Sequence, residues 1–135
     1  FPGETEILFQ ETMEFIKRIE FAGGHVFPFS ARPGTPAAKY DQQVPKAIRQ
    51  ERSKMMRESF SQMEDNYRKK FVGGCLAVLW EGGEPLADGS WLNKGLSENY
   101  LRIAIKTNKS LANTISKVKI SSFSENGMAG QIIDA

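Results

Sequence analysis

A strict two-residue alternation occurs twice in the last third of the chain, and it restricts what that region can fold into more than any other feature. Within Gly95-Leu-Ser-Glu-Asn-Tyr-Leu-Arg-Ile-Ala-Ile105, from Tyr100 onward, Leu101, Ile103 and Ile105 fall on one side and Tyr100, Arg102, Ala104 and Lys106 on the other. Successive side chains of a β-strand point to opposite faces, so this period predicts a strand with one buried and one wet face. Lys117 and Lys119 alternate with Val118 and Ile120 in the same way, giving two strands that share a cationic face. A ring and several cations are the residue types that stack on bases and meet phosphates. The pattern suits equally an ordinary barrel strand whose outer side is merely soluble.

Runs of strand type cover residues 71–81, 100–107, 115–123 and 128–133, with a short fifth around 90–92. Gly82-Gly83, Asp88-Gly89, Asn108-Lys109-Ser110 and Glu125-Asn-Gly127 punctuate them as turns. Five short strands in so little chain predict a small closed β-barrel, because closure removes the exposed edges of a short sheet. Cys75, in the first of these runs, reads as a small buried hydrophobe.

Upstream the period changes. Leu8, Phe9, Thr12, Phe15, Ile16 and Ile19 recur at helical spacing, predicting a helix over about 5–20 with Thr5 as its cap and acidic residues in its first turn. Its apolar face is wide, and nothing else in the first 45 residues is large enough to cover it. Gly23-Gly24 breaks the helix and His25-Val-Phe-Pro-Phe29 reads as a short strand, the second half of an incomplete βαβ unit. Ser30-Ala-Arg-Pro-Gly-Thr-Pro36 follows, a rigid loop that is either a plain connector or a ligand loop at the carboxyl end of a barrel strand. Pro45 is placed to open a second helix that runs to about Phe71, roughly 40 Å at about 1.5 Å per residue. Met56, Phe60, Met63, Tyr67 and Phe71 form its apolar stripe, and Arg49, Arg52, Lys54, Arg57, Arg68, Lys69 and Lys70 its cations. Those cations suit a polyanion or a solvated face.

The formal charge of +2 says little in total, but residues 46–70 hold eight Lys/Arg against four Asp/Glu, so the positive excess lies mid-chain. One cysteine and one histidine exclude an internal disulfide and a zinc or iron–sulfur site completed from this chain alone; no metal is expected. With no apolar run of membrane-crossing length and no leader pattern, no membrane partner and a cytoplasmic location are expected. The chain starts at Phe1 in the middle of what reads as a loop, which suggests a piece of a longer protein.

Taken together these segments resemble the carboxyl-terminal part of the radical S-adenosylmethionine methylthiotransferases. Phe1-Pro-Gly-Glu-Thr-Glu is similar to that family's loop after the fifth barrel strand, and Val26-Phe-Pro-Phe-Ser-Ala-Arg-Pro-Gly-Thr-Pro36 to its sixth-strand motif. Phe71-Val-Gly begins what resembles a TRAM domain, the family's small RNA-binding barrel. Gly95 to Arg102 most resembles the branch that modifies N6-threonylcarbamoyladenosine beside the anticodon, the alternatives being the isopentenyladenosine and ribosomal-protein branches or a stand-alone RNA-binding module.

The resemblance implies an α+β fragment: residues 1–43 a helix-strand remnant of a radical S-adenosylmethionine α/β barrel, 44–70 a long basic linker helix, and 71–135 a five-stranded antiparallel, OB-like TRAM β-barrel. It places Pro2, Gly3 and Glu4 by the S-adenosylmethionine site, Phe27, Pro28 and Phe29 near the adenine, and Arg32 at the substrate entrance. It makes Tyr100, Arg102, Lys106, Lys117 and Lys119 the RNA contacts and tRNA, at its anticodon region, the partner. The family's cysteine triplet is absent, so the parent is expected to use S-adenosylmethionine and [4Fe–4S] clusters while this chain has no cofactor, no catalytic residue and no activity of its own. The apolar face of the first helix, left uncovered, would drive a homodimer. Asn113 stands where the family pattern has glycine, and asparagine tolerates the left-handed conformation such a turn needs.

Overall fold

Thr5 accepts a hydrogen bond from the Leu8 amide at 3.3 Å and starts helix α1, Glu6–Ile19, as its spacing predicts. In the computed structural model, which describes residues 1–124 and 127–134 without the side chain of residue 134, α1 ends before the glycine pair. Glu20 takes the left-handed conformation at φ 55° and its amide reaches the Ile16 carbonyl. Gly24 has a packing task instead: a Cβ there would lie 2.6 Å from the Phe60 ring.

Pro45 precedes helix α2, Lys46–Lys69, and its carbonyl accepts from the Arg49 amide at 3.0 Å. Phe9, Met13 and Ile16 of α1 pack with Met63 of α2, flanked by Met56 and Phe60. The apolar face of α1 is therefore covered in part, with Leu8, Phe15 and Ile19 left exposed. The cover comes from the second helix, whose stripe has the matching helical period. Residues 25–29 form no strand, in contrast to the expectation from their composition. An apolar run becomes a strand only where a neighbouring backbone accepts and donates to it, and among the described residues none pairs with this one. A short 3₁₀ turn, Pro36–Lys39, and the connection to Pro45 complete the first unit, Phe1–Tyr67.

From Arg68 onward the chain is a second unit. Its strands are β1 Cys75–Pro85, β2 Trp91–Ser97, β3 Arg102–Thr107, β4 Ile115–Ser124 and β5 Gly127–Asp134, closed into a barrel in the order β1-β2-β3-β5-β4. All pairings are antiparallel except β3 with β5. An antiparallel ring alternates strand direction, and an odd number of strands cannot alternate all the way round, so one parallel contact is unavoidable in a five-stranded barrel. Leu76, Val78 and Trp80 of β1, Ile103 and Ile105 of β3, Val118 and Ile120 of β4, and Met128 of β5 fill the interior. Gly95 makes room for the indole: a Cβ there would lie 2.4 Å from the Leu79 carbonyl and 3.0 Å from the Trp80 ring.

Several sequence expectations shift. Gly82-Gly83 is not a turn but continues β1 just past a bulge between Trp80 and Gly82, and the chain reverses instead between Leu86 and Ser90, where Gly89 has φ 81°. The short strand expected around 90–92 is β2, which starts at Trp91 and continues to Ser97. Cys75 is exposed, because the alternation that turns Leu76, Val78 and Trp80 inward turns Cys75 outward. Asn113 adopts φ 60°, as expected for a turn that would otherwise hold glycine. Of the Glu125-Asn-Gly127 turn, Glu125 and Asn126 lie outside the described residues.

Candidate functional site

Two places gather the residues singled out above, one in each unit. In the first, Arg52 is the organising side chain. It is only 9% exposed, contrary to a place among solvent-facing cations of α2, because one edge of its guanidinium is folded back onto the amino-terminal loop. Nη1 donates to the Glu4 carbonyl at 2.8 Å and to the Glu4 carboxylate at 2.9 Å, Nη2 donates to Glu6 at 3.0 Å, and the plane lies 5.1 Å from the centre of the Phe9 ring. A planar fork whose two nitrogens bridge two carboxylates is what arginine supplies and lysine does not. The Glu6 carboxyl is held below its ordinary pKa, first by the Gln10 amide and then by Arg52.

Arg49, one turn earlier, donates to the Phe29 carbonyl. These anchors bring Glu4, Phe27, Pro28 and Phe29 to a small cleft of about 110 Å³, together with Phe1, Arg49 and Arg52. Phe1 meets Phe29 edge to face at 5.2 Å. Pro2 is buried beside this loop, and Gly3, at φ 82°, donates to the Gln42 carbonyl at 2.7 Å and faces a separate depression with Val44 and Ile48. Arg32 lies exposed in the following loop, and its carbonyl receives the Thr35 amide and hydroxyl. Thus four of the seven expected residues share one cleft, while Pro2, Gly3 and Arg32 do not line it. Ligand pockets that enclose a nucleoside-sized molecule hold about 300–1,000 Å³. This cleft is smaller than that, and its Phe27 ring is 84% exposed.

On the barrel, Arg102 and Lys106 of β3 and Lys117 and Lys119 of β4 all point outward, as their alternation requires. Tyr100 does not belong to that row. It sits in the β2–β3 turn at φ 63°, 84% exposed, where Ser97 accepts from the Leu101 amide at 2.9 Å and holds the reversal. The polar turn residues Ser97, Glu98 and Asn99 carry the signal for this reversal. Lys106 donates to Asp88 at 2.6 Å, and this bond, with the Ser90 hydroxyl and amide, holds the Asp88 carboxyl far below its ordinary range.

β3 and β4 are not neighbours. β5 separates them on one side and β2 with β1 on the other, so the two cationic rows do not merge into one face. What joins them is apolar. Ile115 pairs with Leu79, Leu79 with Leu96, and Leu96 with Arg102, an outward row crossing four strands, with Lys117 beside Ala77 in the next register. Leu79 and Ile115 are exposed.

Of the buried polar residues that the sequence pattern does not single out, Asn93 is the least exposed. Asn93 is fully buried; its amide donates to Thr107 at 2.9 Å and to the Lys109 carbonyl at 3.2 Å, and its carbonyl accepts from Leu111 at 2.8 Å. It fastens the β3–β4 connection to the barrel. A polar residue at the inward position of β2 was the available sign.

No protein-family model matches the chain. It is similar to two threonylcarbamoyladenosine tRNA methylthiotransferases MtaB: that of Bacillus subtilis, 34% identical over 89% of this chain and 27% of the relative, and that of Thermotoga maritima, 33% identical over 95% of this chain and 28% of the relative. It is also similar to the tRNA-2-methylthio-N(6)-dimethylallyladenosine synthase of Mycobacteroides abscessus, 45% identical over 66% of this chain and 18% of that protein. The chain spans less than a third of the length of each relative.

Proposed function

The chain belongs to the radical S-adenosylmethionine methylthiotransferase family, and from that premise we propose that it is the carboxyl-terminal part of a tRNA-modifying member, with the barrel as its RNA grip. The observation that carries this reading is the match over 89% and 95% of the chain to two proteins whose names specify threonylcarbamoyladenosine in tRNA. In this reading residues 1–43 complete the catalytic barrel, 44–70 link it to the RNA-binding part, and 71–135 are the TRAM domain. Glu4, Phe27, Pro28 and Phe29 give one wall of the S-adenosylmethionine site, Pro2 and Gly3 shape its loop, and Arg32 stands at the substrate entrance. That cofactor, together with an iron–sulfur cluster, would supply radical chemistry. One cysteine cannot hold such a cluster, so its ligands belong to other parts of the full-length protein, and the chain alone is inactive.

Arg102, Lys117 and Lys119 meet phosphates of the anticodon region, Tyr100 offers a stacking face, and Lys106 contributes once it leaves Asp88. The exposed α1 side chains Ile7, Leu8, Phe15 and Ile19 pack against the rest of the catalytic domain, and in its absence drive association of two copies.

Nucleoside mass spectrometry of tRNA from cells lacking the full-length gene tests the branch. Loss of the methylthio form of threonylcarbamoyladenosine, with the dimethylallyl form intact, is expected. The higher identity over a shorter span to a dimethylallyladenosine synthase favours a second reading, in which the opposite loss would be seen.

A further inference from the structure

The groove on the outside of the barrel across β1, β2 and β3 has a volume of about 420 Å³, within the range of sites that hold a small ligand. It exists for two reasons. Ala104 is the small residue between Arg102 and Lys106 on β3, and Lys94 lies opposite it on β2, so the surface dips there. The bulge of β1 between Trp80 and Gly82 falls at Glu81, which stands at the groove's end. Leu92 and Ala104 give an apolar floor, both half-buried.

The charges around this floor are not spent on each other. Lys94 is held by Glu84 at 2.8 Å and Lys106 by Asp88, whereas Arg102 and Glu81 make no ion pair among the described residues. A guanidinium and a carboxylate that form no ion pair among the described residues, beside an apolar floor, match the three parts of one nucleotide: phosphate, base edge and base plane. Resting on the proposed tRNA function, we propose that this groove seats a single unstacked nucleotide of the RNA. Arg102 takes its phosphate, Leu92 and Ala104 take the face of the base, and Glu81 accepts from the N–H groups of its Watson–Crick edge. Unpaired loop bases present that edge, and duplex bases do not. Guanine, with adjacent N1–H and N2–H donors, suits a carboxylate best, and uracil, with one donor flanked by carbonyls, suits it least.

Amide NMR titration of the full chain with GMP, UMP and inorganic phosphate tests this, alongside tRNA binding by the same sample. GMP is expected to move the amides of Lys94, Gly95, Ile103 and Ala104 and to bind about tenfold more tightly than UMP, the effect of one further hydrogen bond to a charged group. Phosphate alone leaves Lys94 and Ala104 in place. Glu81→Gln abolishes the preference for GMP without loss of the barrel's dispersed spectrum, and Arg102→Ala weakens both nucleotides. If tRNA binds while no nucleotide moves these amides, or if GMP and UMP bind alike, the groove assignment is wrong and the tRNA reading stands. If the chain binds no tRNA, both fall.

Discussion

In the barrel, Val78, Trp80 and Val118 are fully buried and each strand is paired on both sides, whereas in the first unit the shared core is Phe9, Met13, Ile16 and Met63, with Ile7, Leu8, Phe15, Ile19 and Phe27 exposed. The barrel satisfies its own backbone through the closed ladder. The first unit has two helices and a long connection whose shape depends on side chains, above all on Arg49 and Arg52 reaching back from α2. The barrel presents its outward residues on a rigid frame, while the loop at Glu4 and Phe29 is only as ordered as the arginines that hold it.

The largest expected effect breaks the barrel side of this contrast. Trp80→Ala removes an indole with no exposure, and about 3–5 kcal/mol of barrel stability should go with it. Urea unfolding followed by amide NMR should show the barrel resonances melting early and those of α1 and α2 unmoved; a common shift of both units would mean that they unfold together. On the other side, Arg52→Met keeps the packing against Phe9 and removes the donors to Glu4. We expect a loss of about 1–3 kcal/mol confined to the first unit, and faster hydrogen exchange of the Gly3 and Phe29 amides.

Alternation alone places Ile103, Ile105, Val118 and Ile120 inside and Arg102, Lys106, Lys117 and Lys119 outside, because in a closed barrel burial follows a single local period. Tyr100 escapes it, since a left-handed turn residue keeps its letter in the pattern but leaves the strand. The alternation predicts one cationic face where the barrel has two separate rows, because sequence gives the side of each strand and not its neighbours. Residues 25–29 show the same limit: composition favours a strand, and pairing is a property of what lies alongside. Arg52 and Arg49 sit among cations on a helix, and nothing local distinguishes the two that turn inward to hold a loop more than forty and about twenty residues away in the chain.

The smallest expected effect concerns pH. Asp88 in the barrel and Glu6 in the first unit both have carboxyls lowered below their ordinary values, so each contributes stability that is present above the unfolded-state pKa and lost as pH falls through the folded-state value. Both units should therefore weaken on acidification below about pH 4, where free carboxylates titrate. Lys106→Met removes the first cause of the Asp88 shift and should flatten the acid limb for the barrel alone, read by thermal unfolding at a series of pH values. An equal flattening in both units would show that the two respond as one body.

Filter binding of tRNA to the full chain across a salt series, with Arg102→Ala/Lys119→Ala beside the unsubstituted chain, tests the proposed grip of the barrel's outward cations on tRNA. Binding of the unsubstituted chain should weaken steeply with salt, and the double substitution should lower the slope of log K against log salt by about one unit for each phosphate contact removed. An affinity and a salt slope identical in the two proteins would contradict it.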